Sequence, residues 1–497
     1  MSKPPISHFL ELFWLDRREV SIVTAYALAA GILSLAVPLA AQALVNTIAQ
    51  GLFLQPLLIL TVAVFFGLLL SGTLKTLQFS LVEQVQQRLF AQLGLRLSEV
   101  VPKFRYQAFL QQKGPQELNK FFEVVNVQKS WNKLLLDVPS NSVELLLSFL
   151  FLALYGPELV LAGGGLLLVA TLALLILGYG GLASSIRESY AKYDLASWLQ
   201  QMARCQDSVK LASCPNSFLF RTDGLISKYL HYRQRHFGVL VRQWGSFYLA
   251  KATVGAGVLG LGGLMVIEGQ LSLGQLVAAE IVVLNALKAC EKLVRAIEPF
   301  FDLLTGLDKL AHLLDIPLDD AAPHALEQLT RGSQLAFRQV SFTPLGSQRE
   351  ILSAISFEIK PGERVSLIGD EGCGLSTVAK LAVGLVRPTR GQVEIEGLPS
   401  SSLKRLQSAW LTDREELFDT TVEDNITLGR EVSAQDLRWA LEMSGLNEHL
   451  AWLTDGLKTP IHCEGRNLSR SQVLRILLAR NIVQRPHLLV RSEERRV

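Results

Sequence analysis

The sequence predicts a multidomain chain, in which an all-α domain of six membrane-spanning helices is followed by an α/β domain. Hydrophobic residues make up 49% of the 497 residues and charged residues only 19%, whereas soluble chains are nearer a quarter charged. Six apolar runs approach the length of about 20 residues that crosses a bilayer. After a polar linker, short β-like runs alternate with helices around a glycine-rich loop.

Residues 1–19 are predicted to form an interfacial helix. Residues 6–15 read ISHFLELFWL and precede Asp16, Arg17 and Arg18, which places Trp14 near the lipid headgroups. The apolar run that begins near Val20 outlasts the h-region of a signal peptide, which spans about 7–15 residues. We therefore interpret this segment as the entry to the membrane and not as a signal peptide.

The membrane domain is predicted over residues 20–312. Its apolar runs lie at 20–48, 53–74, 141–156, 157–183, 247–267 and 273–288. The long stretches between the pairs of runs are rich in Lys and Arg, whereas the short connections carry neither. The positive-inside rule then places the long extensions and both termini in the cytoplasm. We expect an integral protein of the bacterial inner membrane, with the lipid bilayer as a partner.

The polar residues within the predicted spans include three that could line a cavity. Glu280 lies in the sixth run, and Gln42 and Asn46 lie one helical turn apart in the first. Ionisable groups inside a membrane mark functional sites by default, so these three are candidates for lining a substrate cavity. The alternative is that Glu280 faces a wet cavity or a neighbouring helix and only specifies packing.

Residues 313–333 form a polar linker, and residues 334–490 are predicted to form the α/β domain. ERVSLIG at 363–369 is typical of a buried strand, GDEGCGLST follows, and an apolar helix comes next. Strand, glycine-rich loop and helix is the context of a phosphate-binding loop. Gly369, Gly372 and Gly374 would let the backbone curl around phosphate, while Ser376 and Thr377 would offer hydroxyls, Ser376 to Mg²⁺. The alternative is a glycine turn without a ligand.

The motif demands Lys after the last glycine, and this chain has Leu375 there. That Lys would reach the β- and γ-phosphates. One such charge contact at ~4 Å and an effective dielectric of ~20 is worth about 4 kcal/mol. Asp370 and Glu371 also add negative charge to the loop. Only weak nucleotide binding is expected.

The segments around the loop resemble the nucleotide-binding domain of ATP-binding-cassette exporters in order and spacing. The resembling stretches are LAFRQVSF through GERVSLIG, GLVRPTRGQVEIEG (384–397), LFDTTVEDNITLG (417–429) and DGLKTPIHCEGRNLSRSQVLRILLARNIV. In the membrane half, GLMVIEGQLSLGQLVAAEIVV (263–283) and GLDKLAHLLDIPLD (306–319) resemble the turn between the last two helices and the exit from the sixth. The resemblance implies an exporter-type half-transporter that binds ATP and Mg²⁺.

Nearly every position to which the resemblance assigns a catalytic role departs from the family pattern. Pro344 stands where a ring would stack on adenine, and Asp413 stands at the Q-loop position that would bind Mg²⁺. The signature LSGGQ corresponds to Leu468, Ser469, Arg470, Ser471 and Gln472. Arg470 therefore places a long side chain where the backbone should approach the nucleotide of the opposite subunit.

Residues 486–490 resemble the start of the Walker B strand, but the Walker B acids and the switch His do not follow. We expect an incomplete, C-terminally truncated cassette over 334–490. The last heptapeptide, 491–497, resembles translated sequencing-adapter DNA and is expected to be non-native; the alternative is a native charged tail. Whether the chain is an enzyme stays open, because the Walker A Lys and the Walker B acids are missing.

The resemblance implies a dimer with a second half-transporter, identical or different, which moves an unidentified substrate by ATP-driven alternating access. Two alternatives stay open. The chain could be a non-transporting regulator or scaffold, or it could be an active transport ATPase whose sequence is truncated here. Lys plus Arg number 48 against 45 Asp plus Glu, a net charge of +3, which gives no support to a nucleic-acid partner. The five cysteines match no zinc pattern.

Overall fold

The computed structural model describes residues 5–49, 54–111, 114–155, 179–212, 215–319, 334–395, 398–399, 408–412, 417–451, 453–462 and 465–491. The chain divides into two compact units. The first contains Met1–Lys103 and Lys113–Ile316, and the second contains Phe104–Gln112 and Pro317–Val497. The sequence analysis placed residues 104–112 in the membrane domain, whereas the structure groups this short segment with the α/β unit.

The first unit is helical. Its helices are α1 (Pro5–Leu15), α2 (Arg17–Ser34), α3 (Ala36–Ala49), α4 (Leu54–Val100), α6 (Glu123–Ala153), α7 (Gly181–Arg204), α8 (Gln206–Leu211), α9 (Pro215–Ile267), α10 (Leu273–Arg295) and α11 (Ile297–Leu314). The short helix α5 (Tyr106–Gln111) belongs to the second unit. Two segments, Val101–Lys103 and Gly114–Phe122, are 3₁₀-helical.

Five stretches of the described residues are long and apolar enough to cross a membrane. They are Arg17–Ile48, Leu57–Lys103, Glu117–Ala153, Asn216–Ile267 and Leu273–Leu314. Each overlaps one of the predicted apolar runs; the run at 53–74 begins before its stretch, and the run at 141–156 ends after its stretch. The remaining predicted span, 157–183, lies almost entirely outside the described residues.

The N-terminal helices are fixed to the bundle by a buried carboxylate. Asp16 accepts hydrogen bonds from Arg88 Nη2 (2.5 Å) and from Trp131 Nε1 (3.0 Å). Arg88 also donates to Glu19 Oε1 at 2.8 Å, and Phe9 packs edge-on against Trp131. Since Asp16 is buried, its charge requires these partners, and they join α1, α2, α4 and α6.

The described residues of the second unit form two sheets. The first has the order β2-β1-β3-β4, with strands β1 (Leu335–Phe342), β2 (Leu352–Ile359), β3 (Arg390–Ile395) and β4 (Leu398–Pro399), all antiparallel. The second pairs β5 (Ser408–Leu411) with β6 (Leu488–Arg491) in parallel. The helices are α12 (Leu375–Ala382), α13 (Val422–Thr427), α14 (Ala434–Met443), α15 (Asn447–Leu450) and α16 (Arg470–Ile482), with a 3₁₀ turn at Gly456–Lys458.

The predicted strand at 363–369 is wrong. The segment forms no regular structure and is exposed throughout, with Ile368 92% exposed. An extended segment becomes a strand only when its backbone groups find a ladder partner. Among the described residues β5 and β6 pair with each other, and neither pairs with this segment.

Candidate functional site

The glycine-rich loop forms the turn that the sequence predicts, immediately before α12. Gly372 and Gly374 adopt left-handed conformations, with φ of 83° and 98°, which favour glycine. A Cβ built on Gly374 would lie 2.7 Å from Leu352 Cδ2, so a side chain there would also collide with β2. The Cys373 N–H donates to Asp370 O at 3.1 Å, which closes the turn. The loop and helix expected of a phosphate cradle are therefore present without the strand.

The side chains at the loop do not supply a cation. Leu375 is the first residue of α12 and is half-buried, while Ser376 is exposed. Lys380 is the basic residue in the last turn of α12, and its Nζ lies 5.9 Å from the ring centroid of Tyr106. Lys380 lies five residues after Leu375 and faces the Tyr106 ring. It therefore does not replace the missing Lys of the phosphate loop. The loop offers backbone amides and hydroxyls, with Asp370 and Glu371 exposed beside them.

The signature segment begins α16. Ser469 caps this helix: its Oγ accepts the Gln472 N–H at 3.3 Å, and its own N–H donates to Gln472 Oε1 at 2.8 Å. This reciprocal arrangement satisfies two amides at the helix end. Ser469, Arg470 and Ser471 are exposed, and Leu468 is half-buried. The structure thus places the signature residues at the start of a helix, where the Ser469 and Gln472 side chains hold one another.

Two arginines anchor α16 to the rest of its unit. Arg475 Nη1 donates to the carbonyls of Ser444 (3.1 Å) and Gly445 (3.0 Å). Arg480 donates to Asn425 O at 2.7 Å and to Asn425 Oδ1 at 2.6 Å. Asn425 is fully buried, so these contacts fix the direction of α16 and the position of the signature residues at its start. Asp413 lies outside the described residues.

The candidate substrate-cavity residues do not meet at one point. Gln42 accepts a hydrogen bond from Tyr155 Oη at 2.6 Å. Both Gln42 and Asn46 press against Gly274 at the start of α10, since a Cβ there would lie 2.7 Å from Gln42 O and would collide with Asn46 Oδ1. Glu280 lies six residues further along α10, about 9 Å along the axis and on another face. Its buried Oε2 has no hydrogen-bond partner among the described residues.

Sequence reasoning missed a buried charge cluster in the first unit. Lys309 is fully buried in α11 and donates to Glu123 Oε1 at 2.9 Å and to Ser189. Its Nζ lies 4.0 Å from the ring centroid of Tyr193. Burial, reinforced by the nearby Glu123 carboxylate, raises the pKa of Tyr193, so its phenol stays protonated at physiological pH. The signal was a lysine inside the apolar helical pattern GLDKLAHLL.

Residues 352–493 match the family model described as ABC transporter. The "ATP-dependent lipid A-core flippase" of Chromobacterium violaceum is 26% identical over 318 residues, which are 63% of this chain and 54% of that relative. The "Leukotoxin translocation ATP-binding protein LktB" of Mannheimia glucosida is 24% identical over 447 residues, 87% of this chain and 61% of the relative. The chain thus spans little more than half the length of these two curated relatives.

A solved structure extends the likeness to the whole fold. A bacterial Atm1-family ABC exporter with ATP bound superposes with a TM-score of 0.82, at 20% sequence identity, over 96% of this chain and 86% of the exporter chain. At this identity the likeness concerns the fold. It covers both the helical unit and the α/β unit, in the same order along the chain.

Proposed function

We propose that this chain, an exporter-type half-transporter of the ATP-binding-cassette family with a membrane domain fused to a nucleotide-binding domain, is an exporter subunit whose own ATP site is degenerate. It is an integral membrane protein, and we place it in the bacterial inner membrane with both termini cytoplasmic. Its substrate would move by alternating access, as paired cassettes close on ATP and the helices open outward.

The glycine loop before α12 carries this proposal. Its left-handed glycines and the helix end that follows are suited to holding phosphate oxygens through backbone amides. Leu375 occupies the position of the charged contact, and Lys380 faces Tyr106. We expect weak binding of Mg²⁺-ATP, because the loop retains the backbone amides that bind phosphate but lacks the Lys side chain. Ser376 and Asp413 are the candidate Mg²⁺ ligands.

A single membrane domain with a single cassette implies a dimer. In a homodimer both sites would combine Leu375 with Arg470. In a heterodimer each site would inherit one of the two departures, because the signature of one subunit serves the phosphate loop of the other. The proposal therefore predicts slow or absent hydrolysis in either assembly.

The substrate stays open. Gln42, Asn46 and Glu280 are proposed to line its path, because they are polar groups on apolar helices: Gln42 accepts a hydrogen bond from Tyr155, and the buried Glu280 Oε2 has no partner among the described residues. The relatives are named for lipid A-core flipping and for toxin translocation, two chemically different cargoes.

Two alternatives compete with this proposal. Leu375 and Arg470 favour a non-transporting regulator or scaffold that keeps the fold without the chemistry. The same two residues count against an active ATPase in a truncated record, because both lie well inside the matched region.

The movement of the outer ends of the helices separates an exporter from a scaffold. We would spin-label Gln270→Cys, in the exposed turn between α9 and α10, in a cysteine-free full-length chain reconstituted in nanodiscs. An exporter predicts that saturating Mg²⁺-ATP lengthens the distance between the two labels of the dimer, whereas ADP does not. Unchanged distances with Mg²⁺-ATP, both in the chain as it is and in the Leu375→Lys variant, would favour the scaffold.

A further inference from the structure

The end of α3 and the start of α10 approach each other so closely that only glycine fits between them. α3 ends at Ala49 and α10 begins at Leu273, beside short connections that the predicted topology places outside the membrane. A Cβ built on Gly274 would lie 2.7 Å from Gln42 O and 2.7 Å from Asn46 Cγ. Small residues allow two membrane helices to approach in this way. Even the methyl group of an alanine would push the two helices apart, because Gln42 O belongs to the backbone of α3.

The first turn of α10 is held in a fixed direction. Ser272 caps the helix: its Oγ accepts the Gln275 N–H at 3.2 Å, and its own N–H donates to Gln275 Oε1 at 2.8 Å. This capping box satisfies two amides at the helix start. A Cβ built on Gly262 in α9 would lie 2.7 Å from Leu276 Cδ1, so the same turn of α10 is also pressed against α9. The position of Gly274 against α3 therefore depends on rigid neighbours.

A hydrogen bond joins the same turn of α3 to the end of α6. Tyr155 Oη donates to Gln42 Oε1 at 2.6 Å. The Tyr155 N–H donates to Leu152 O at 3.0 Å, and the Tyr155 ring packs edge-on against Phe151, with the ring centroids 5.1 Å apart. Phe151 and Leu152 belong to an apolar cluster that α6 shares with α9 and α10. We call the whole contact the outer clasp; its residues are Gln42, Asn46, Tyr155 and Gly274.

The outer clasp lies between Glu280 and the outer surface. Glu280 is six residues beyond Gly274 on α10, about 9 Å deeper along the helix axis. Ala278 and Ala279 of the intervening turn are fully buried, and the buried Glu280 Oε2 has no partner among the described residues. Ionisable groups on membrane helices face the interior or a water-filled path. In the structure, the clasp therefore closes the outer end of the bundle above such a group.

The outer clasp contains no ion pair among the described residues. Its polar contact is a neutral hydrogen bond, and hydrogen bonds between membrane helices are individually weak. By contrast, Lys251 of α9 and Glu291 of α10 form an ion pair at 2.8 Å on the predicted cytoplasmic side. α10 is thus tied to α9 by a charged contact and by the short turn between them, whereas neutral contacts alone join α3 to α6 and α10 at the clasp.

We propose that the outer clasp is the outer gate of this chain, and that outward opening consists of α3 parting from α6 and α10 at Gly274 and Tyr155. The closed clasp shuts the space around Glu280 from the outside, and its opening admits water from that side. The proposal rests on the proposed export function and its orientation, and it names the residues that hold the path closed. Gly274 is a positioning residue, because it acts by setting the distance between two helices.

The test measures whether position 280 can be reached from outside. The full-length chain carries Glu280→Cys in an otherwise cysteine-free background, in right-side-out membrane vesicles washed free of nucleotide. A membrane-impermeant thiol reagent is added outside, and Gln270→Cys, in the exposed turn between α9 and α10, gives the rate of an open position. We expect slow labelling of Glu280→Cys with the clasp intact. Adding Gly274→Ala should make labelling roughly tenfold faster, because the new Cβ forces α3 away from α10.

Two further variants separate the gate from general loosening of the bundle. Tyr155→Phe removes the hydrogen bond and keeps the ring, so labelling should become roughly threefold faster. Gly263→Ala is the matched control in α9, because no described atom lies within 4 Å of a Cβ built there, and it should leave the rate unchanged. A reporter that reacts as fast as Gln270→Cys with the clasp intact, an unchanged rate in Gly274→Ala, or an equal rise in Gly263→Ala would each overturn the proposal. Because no nucleotide takes part, a failure of ATP-driven export would leave this result unaffected.

Discussion

The ammonium group of Lys309 is fully buried, and its stability depends on a few named contacts. Glu123 Oε1 lies 2.9 Å away, Ser189 accepts a second hydrogen bond, and the Tyr193 ring covers a third side. Asn126 Nδ2 donates to the other oxygen of Glu123 at 2.8 Å. A buried ion pair of this kind adds little net stability, but removal of one partner leaves an unpaired charge in the interior.

Removal of either partner of this pair should destabilise the first unit. Lys309→Met or Glu123→Leu alone should lower the free energy of unfolding by about 3–5 kcal/mol, whereas the double variant should recover most of that loss. The midpoint of thermal unfolding in detergent reports the effect. The exposed pair of Lys228 and Asp194, at 2.8 Å, is the matched control: Lys228→Met should cost less than about 1 kcal/mol. Additive losses in the double variant would contradict the coupling.

For single residues, the sequence predicted those features that depend on local backbone geometry. The turn at Gly372 and Gly374 follows from neighbouring residues, and the structure contains it. It could not predict the partner of Lys309, because Glu123 lies 186 residues earlier in the chain. Contacts of that separation depend on how the helices pack and not on any local pattern.

Among the elements, the sequence predicted the five apolar helices that the structure describes, but it predicted wrongly a strand before the phosphate loop. A helix in a bilayer makes all its backbone hydrogen bonds within itself. An apolar run of sufficient length is therefore nearly enough to predict the helix. A strand needs a neighbour, and the apolar pattern of 363–369 carries no information about where that neighbour is. In the structure this segment leaves Val365, Leu367 and Ile368 exposed.

This exposed apolar segment should make the isolated second unit prone to association. Residues 317–497, expressed alone, should elute as oligomers or aggregates. The reason is that an apolar segment with unpaired backbone N–H and C=O groups can pair with a segment of another chain. The second unit also contains Phe104–Gln112, and Tyr106 packs against the core of this unit, which the fragment would lose. Leu367→Ser/Ile368→Ser should reduce the association, while Lys360→Ser should not. A monodisperse fragment with a sharp cooperative melt would count against this reading.

For the whole molecule, the orientation in the membrane follows from the distribution of Lys and Arg. In a cysteine-free background, a membrane-impermeant thiol reagent added to intact cells should label Gln270→Cys. It should not label Lys210→Cys, which lies in the extension between the fourth and fifth runs, until the cells are opened. The opposite pattern would reverse the predicted topology. Both side chains are exposed in the structure, so accessibility within the protein does not confound the comparison.

The central claim is that this fold binds nucleotide weakly and does not turn it over. The most direct measurement is the steady-state ATPase rate of the purified full-length chain, alongside its affinity for Mg²⁺-ATP, with and without Leu375→Lys. The account predicts no hydrolysis above background in either protein and tighter binding in the variant, because the new cation supplies charge to the phosphates, whereas Arg470 remains in the signature segment and Pro344 at the adenine position. Robust Mg²⁺-dependent turnover by the unmodified chain would contradict it.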